Sequence, residues 1–271
     1  MSSKPEHLDY LELTKKVRRK VLEMLASAKA SHLGSNMSVV EMLVAMHLSV
    51  DCEKVRSQSA DRSRLIISKG HCAAATYAVS AEFGLLSSDA LINYHVNDSL
   101  LAGHVSHKVP FIEHSTGALG HGINVAVGCA IGLRARGFLE SKVICLVGDG
   151  EIQEGSVWEA VMLASHLQLS NFVLLVDNNQ ISSIRRTKDV LNMEPLISRF
   201  QAFGCRATEV DGHSVEDISN AIAEGGRSSS PGVVICNTVK GKGVRFAEND
   251  PVWHYRTLNE DLLHEALAEL R

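Results

Sequence analysis

The chain has 271 residues, 45% of them hydrophobic and 21% charged, with a formal net charge of −4. This mildly acidic balance gives no electrostatic reason to expect nucleic acid or an anionic membrane as a partner, and no apolar run approaches the roughly 20 residues that span a bilayer. Residues 1–16 lack the apolar core of a secretory signal, so a cytoplasmic protein is expected, and the six scattered cysteines read as reduced structural thiols rather than a disulfide or zinc framework.

Residues 8–28 place Tyr10, Leu13, Val17, Val21, Met24 and Leu25 at helical spacing. Ser38 with Glu41 reads as a capping box that opens a second helix running to about His47. An N-terminal helical segment over about residues 1–60 is expected. Residues 64–68 form a short buried strand in this reading, and a helix follows that ends near Gly84. Residues 96–116 are loop-like and rich in His, Ser and Gly. Residues 119–136 read as a helix although they carry Gly120, Gly122, Gly128 and Gly132. So many small residues cost helix propensity, which predicts close packing of this segment against another helix or a ligand.

The second half alternates. Strands are predicted at 142–147, 172–177, 206–210 and 232–237, and helices at 157–166 and 196–203. Ser214 with Asp217 starts a further helix, and Asn259 caps a last one that runs through Leu270. Strands of continuous Val, Ile and Leu are what a parallel sheet covered on both faces requires. The expected fold is a doubly wound α/β domain, a mostly parallel sheet flanked by helices, spanning residues 1–271 as a single domain. Such sheets bind ligands beyond the C-terminal ends of their strands.

The chemistry concentrates in Gly148-Asp149-Gly150-Glu151-Ile152-Gln153-Glu154-Gly155 and Asn178-Asn179. Asp149 and Asn179 each follow directly on a predicted strand, and parallel neighbours would bring both to one sheet edge. A carboxylate and an amide oxygen make a hard oxygen site suited to Mg²⁺, which takes few protein ligands and completes its shell with phosphate oxygens. Gly150 lets the backbone approach a phosphate closely, and a helix starting near Gly155 adds its positive end. Either piece alone is ordinary turn chemistry. Together, with a helix between them, they match the thiamine-diphosphate motif.

Residues 148–160 and 163–179 resemble transketolase, and the similarity extends over nearly the whole chain. Ser31-His32-Leu33-Gly34 resembles the family's Gly-His-Pro-Gly, and Ser68-Lys69-Gly70-His71 its Ser-x-Gly-His. Gly103-His104 matches a family Gly-His, and Ser115-Thr116-Gly117-Ala118-Leu119-Gly120 its Thr-Thr-Gly-Pro-Leu-Gly. Lys240-Gly241-Lys242-Gly243 followed by Trp253-His254 resembles the end of this domain in split transketolases.

The resemblance implies thiamine diphosphate and Mg²⁺ as cofactors, with Ca²⁺ or Mn²⁺ as substitutes. It implies that Asp149, Asn179 and the Ile181 carbonyl bind the metal. Gly150, His71 and His254 would meet the diphosphate, with Gly148, Glu151 and Glu154 in the same cofactor-binding set, and Gly117 and Leu119 would lie along the aminopyrimidine. His32, His71, His104 and His254 would be the catalytic histidines, with His32, His71 and His104 facing a sugar or sugar phosphate. Glu154 and Glu159 would belong to a carboxylate network between cofactor sites. In transketolases the glutamate that activates the cofactor lies in a pyrimidine-binding domain. The resemblance therefore implies that a separate C-terminal subunit completes the enzyme, in an α2β2 heterotetramer that transfers a two-carbon ketol unit.

His47, His166 and His264 read as structural, while His95, His107, His114 and His121 stay open. His121 stands where the family usually has Gln, and Ile184-Arg185 where split transketolases usually carry Asp-Gly. Two other readings remain at this point: the α subunit of a 2-oxo acid dehydrogenase, and a non-catalytic subunit that keeps the fold for partner binding.

Overall fold

Strands built from unbroken aliphatic runs offer water no polar face, and this sheet is covered on both sides except at its edge strand of residues 206–211, which is largely exposed. β1 (Arg64–Ile67), β2 (Val143–Gly148), β3 (Phe172–Asn178), β4 (Arg206–Asp211) and β5 (Gly232–Asn237) lie parallel in the order β1-β2-β3-β5-β4. The structure, a computed structural model, describes residues 9–227 and 229–270. Its helices are α1 (Tyr10–Ser27), α2 (Leu33–Met37), α3 (Val40–Leu48), α4 (Cys52–Arg56), α5 (Ala73–Glu82), α6 (Gly122–Ala135), α7 (Gly155–His166), α8 (Thr187–Val190), α9 (Leu196–Ala202), α10 (Val215–Gly225) and α11 (Glu260–Glu269).

Side chains alternate across the pleat. Ile144, Leu146, Leu175 and Val234 pack beneath α1, α3, α5 and α10, while Val143, Cys145, Leu174 and Ile235 pack beneath α6, α7 and α9. The parallel register sets Gly148 beside Asp177 and Asn178 beside Asn237. The residues that leave β2, β3 and β5 therefore emerge along one edge.

The predicted elements appear with small shifts, and two local readings are corrected. The Ser38–Glu41 capping box does not form. α3 begins at Val40 with no side-chain cap; Ser38 Oγ instead donates to the Ser35 carbonyl at 3.2 Å and to Asp177 at 2.7 Å. Glu41 turns inward and takes a bidentate contact from Arg18, at 2.7 and 2.8 Å. Two charge-assisted bonds to a buried carboxylate outweigh one bond to a helix end. The caps at Ser214 and Asn259 do form, accepting from Asp217 N–H at 3.1 Å and Leu262 N–H at 2.9 Å. α1 is capped by Asp9. Residues 1–8 of the expected N-terminal helical segment lie outside the described residues.

The second correction concerns the glycines of residues 119–136. The helix starts only at Gly122, after a turn in which Gly120 has φ +73°. A Cβ at Gly122 would stand 2.6 Å from Ser68 Oγ and 2.7 Å from Ser68 Cα, the close packing the sequence predicts. At Gly128 and Gly132 a Cβ would meet nothing within 4 Å. Gly128→Ala should therefore stabilise the chain by about 0.5–1 kcal/mol through backbone entropy, whereas Gly122→Ala should destabilise it by about 1–3 kcal/mol through overpacking. Urea unfolding of the two variants checks this, and the opposite order of stabilities would contradict the packing described.

Candidate active site

Four segments meet beyond the C-terminal strand ends. Ser68 to His71 follow β1, Asp149 and Gly150 follow β2, Asn179 to Ile181 follow β3, and Thr238 to Lys240 follow β5. They wall a cavity of about 380 Å³. Around it stand His32, His71, His104, Gly117, Leu119, Gly148, Asp149, Gly150, Glu151, Glu154, Asn179, Ile181 and His254, which are all of the catalytic, cofactor and metal candidates read from the sequence. Glu159 is exposed on α7 and does not line it.

Asp149 is buried at the cavity floor. Its Oδ1 accepts the Gly150 N–H at 2.7 Å and its Oδ2 accepts the Gln180 N–H. Burial, and then the negative charge of Asp177, push this carboxyl up to about 7 against the opposing pull of Lys69 and Lys240. Asn179 is fixed from both ends: Nδ2 donates to Asp177 at 2.9 Å and Oδ1 accepts the Ile181 N–H at 3.0 Å. The Ile181 carbonyl accepts from Lys240 Nζ at 2.8 Å. Asp149, Asn179 and the Ile181 carbonyl thus present a carboxylate, an amide oxygen and a backbone oxygen, a donor set that fits a small hard cation. A protein cation already sits at one of these oxygens, and the buried carboxylate is short of positive charge.

Glu151 has another task. Its carboxylate accepts from Gly120 N–H at 3.0 Å, Gly148 N–H at 3.2 Å and the Ser68 hydroxyl. Burial raises its pKa against these bonds. Although it lines the cavity, its oxygens are spent on tying three loops together. Glu154 stands exposed at the rim.

His32, His71, His104 and His254 form one cluster. The ring of His32 lies 5.4 Å from His71, 5.5 Å from His104 and 4.9 Å from His254, and His71 and His254 are 5.4 Å apart. Asn36 staples two of their loops, since Nδ2 donates to the His32 carbonyl at 2.9 Å and the His71 carbonyl at 3.3 Å. His32 itself has φ 72°, a left-handed conformation costly for a residue with a Cβ. Burial first, and then neighbouring histidine or lysine charge, hold His32 down at about 4, His254 at about 3 and His71 well below the ordinary 6.5. His104 is lowered as well, by burial and His95. The cluster presents neutral imidazoles at neutral pH.

The other histidines sit elsewhere. His47 is buried between the Leu43 carbonyl at 2.8 Å and Ser80 at 3.0 Å, a structural role. His166 and His264 are exposed on their helices, His107 binds Ser115 at 2.6 Å, and His121 binds the Leu119 carbonyl at 2.9 Å outside the cavity.

Sequence reasoning assigned no role to Lys69, Lys240, Ser35 and Tyr255, all of which line the cavity. Lys69 stands two residues past an apolar strand and before a glycine, and Lys240 opens a Lys-Gly-Lys-Gly run three residues past another strand. A lysine at the C-terminal end of a buried parallel strand was the available signal. Ile184 reaches the cavity mouth at 62% exposure, while Arg185 and Arg186 are exposed and do not line it.

A parallel sheet with its site along the C-terminal edge defines a cofactor-binding α/β enzyme fold. Residues 11–270 match the family model described as the transketolase thiamine diphosphate binding domain, and the chain belongs to that family. It is similar to an apulose-4-phosphate transketolase subunit of Actinobacillus succinogenes, with 38% identity over 98% of this chain and 99% of that one. It is 30% identical to a 6-deoxy-6-sulfo-D-fructose transketolase subunit of Clostridium sp., over 98% and 97% of the two chains. Human transketolase is 32% identical over 94% of this chain, but only 41% of the human protein is matched. The transketolase of Campylobacter jejuni superposes with a TM-score of 0.85 at 29% identity, over 96% of this chain and 42% of its own. The chain is therefore a transferase of the transketolase type, corresponding to the N-terminal part of the longer enzymes. The 2-oxo acid dehydrogenase alternative is set aside.

The depressed imidazoles have a consequence for stability. A histidine at 6.5 when unfolded, and at about 4 or about 3 when folded, contributes stability that is fully present above about pH 6.5 and is lost as pH falls toward those values. The melting temperature should therefore fall as pH is lowered from about 7 to about 4. The His32→Gln/His254→Gln variant should show a shallower fall in thermal scans, and an unchanged slope would contradict the buried neutral cluster.

Proposed function

We propose that this chain is the diphosphate-binding subunit of a two-chain transketolase. In this reading, residues 1–271 form one domain that binds thiamine diphosphate with Mg²⁺ (Ca²⁺ or Mn²⁺ substituting) in the cytoplasm. With its partner it moves a two-carbon ketol unit from a ketose or ketose phosphate to an aldose or aldose phosphate. The observation that carries the reading is the convergence of Asp149, Asn179 and the Ile181 carbonyl at adjacent strand ends, beside a wall of four neutral histidines.

When bound, thiamine diphosphate supplies the nucleophilic ring carbon and the electron sink for carbon–carbon cleavage. The chain's own residues bind, orient and move protons. Asp149, Asn179 Oδ1 and the Ile181 carbonyl would take the metal. The Gly150 backbone, the Lys69 and Lys240 charges, His71 and His254 would face the diphosphate, and Gly117 and Leu119 the aminopyrimidine. His32, His71 and His104 would face the sugar, where a neutral imidazole accepts a hydroxyl proton at one nitrogen and donates from the other. A dedicated non-catalytic subunit would have no need to bury a carboxylate at a cation site.

The partner follows from three supports. Two of the relatives are named as subunits while matching this chain nearly end to end. The chain spans 41% of human transketolase. Leu119, Ile184 and Tyr255 leave 39%, 62% and 62% of their surface exposed around the cavity mouth, an apolar rim suited to a pyrimidine-domain subunit. An α2β2 heterotetramer is the assembly expected, with Glu154 and Glu159 at the contact between halves. The relatives' names differ in their sugars, which supports a division of labour in which this half supplies the common cofactor cradle.

The test is to express residues 1–271 alone and again with the C-terminal transketolase subunit, and to assay two-carbon transfer with Mg²⁺ and thiamine diphosphate. The lone chain should be inactive, the pair active, and the pair carrying Asp149→Ala at least about a hundredfold slower at limiting Mg²⁺. Robust turnover by the lone chain, or by the Asp149→Ala pair, would overturn the reading.

A further inference from the structure

The segment after β5 carries Lys240 into the cavity, and side chains from distant parts of the sequence grip it on both sides. His213 Nε2 accepts the Val239 N–H at 2.8 Å. Arg18 Nε donates to the Lys242 carbonyl at 3.0 Å. One carboxylate anchors both: Glu41 takes Arg18 at 2.7 and 2.8 Å, and its Oε2 also takes His213 Nδ1 at 3.1 Å. None of the three lines the cavity. An Nε2 that accepts a backbone N–H keeps its lone pair, so the His213 proton lies on Nδ1 and points at Glu41. Burial pushes the Glu41 carboxyl up, but the His213 bond and the Arg18 charge outweigh it and hold the group at about 2, ionised and able to anchor both partners.

Between the two grips the backbone turns at Gly241, with φ +85° and its N–H bonded to the Gly34 carbonyl at 3.0 Å. The direction of Lys240 is thereby set. Its Nζ reaches the carbonyls of Ile181 at 2.8 Å and Ser182 at 2.7 Å, with the residue only 2% exposed. Among the described residues Lys240 forms no ion pair. A buried ammonium that bonds only neutral carbonyls is favoured to return to water, and so it depends on the backbone that carries it.

We propose that His213, anchored on Glu41, is a positioning residue that holds residues 239–242 so that the Lys240 ammonium stays at the cavity wall, ready for an anionic ligand. The inference rests on the diphosphate-site reading above and adds a residue outside the cavity to it.

Two isosteric variants separate the halves of the His213 contact. Asn places its amide where Nδ1 lies and keeps the Glu41 side. Gln places its amide where Nε2 lies and keeps the Val239 side. The probe is Mg²⁺ with inorganic diphosphate, and in parallel with thiamine diphosphate, titrated into the full chain by calorimetry, with thermal melting recorded for each variant. His213→Asn should weaken diphosphate binding roughly tenfold, while His213→Gln, which keeps the Val239 contact but loses the Glu41 anchor, should fall between that variant and wild type. In a Lys240→Met background, His213→Asn should cost less than about twofold more, because the two act through one contact. A role confined to folding would lower the melting temperature and leave binding by the folded chain unchanged. Wild-type affinity in His213→Asn, or an undiminished loss in the Lys240→Met background, overturns the proposal. A wild-type chain that binds neither diphosphate, alone or assembled with the C-terminal transketolase subunit, overturns the functional reading itself.

Discussion

Lys69 and Asp177 are buried against one another at the sheet edge, 2% and 0% exposed. Neither charge could be kept there alone, because removing one member of such a pair costs about 3–5 kcal/mol. The pair joins the end of β1 to the end of β3. Asp177 also accepts from Ser38 before α3, from Thr238 after β5 and from the Asn179 amide. Lys69 reaches back to the Ser35 carbonyl at 3.2 Å. One carboxylate therefore fixes the loops that leave three strands, and it turns the Asn179 amide so that its oxygen faces away from Asp177. These bonds, with Lys69 foremost among the attractive ones, keep Asp177 ionised below the usual carboxylate range despite complete burial. The same negative charge helps push neighbouring Asp149 upward. The edge is thus arranged with one satisfied carboxylate and one that gains from an added cation.

The histidine wall depends on a different constraint. His32 holds a left-handed backbone at the start of α2, where its N–H bonds the His254 carbonyl at 3.0 Å and its own carbonyl is taken by Asn36. These two bonds hold the strained backbone in place, and it brings loops near residues 32, 71 and 254 within ring contact of one another. Desolvation then does the chemical work, keeping the imidazoles neutral and able both to donate and to accept.

The sheet was legible because both of its faces are covered, so each central strand is a continuous apolar run and its end is marked by the first glycine or carboxylate. That pattern located Asp149, Gly150 and Asn179 without tertiary information. Glu41 was misread because Ser-x-x-Glu describes a capping box equally well whether or not an arginine 23 positions upstream competes for the carboxylate. Lys69 and Lys240 were quoted only within motifs and given no role of their own, because lysine is ordinarily a surface residue. Only the fold reveals that both ammonium groups are enclosed. Gly128 and Gly132 were expected to pack closely and do not, because a small residue marks a close approach only if a neighbour comes near, which a single sequence does not record.

The proposed function requires a cation at the edge between β2 and β3. Its most direct measurement is the anomalous scattering of Mn²⁺ in crystals of the chain grown with Mn²⁺ and thiamine diphosphate. The account predicts one strong peak within about 2.5 Å of an Asp149 carboxylate oxygen, Asn179 Oδ1 and the Ile181 carbonyl, with the Lys240 ammonium displaced from that carbonyl toward the diphosphate. A cofactor bound with its metal on other residues, or a peak absent from this edge while the cofactor is present, would contradict it.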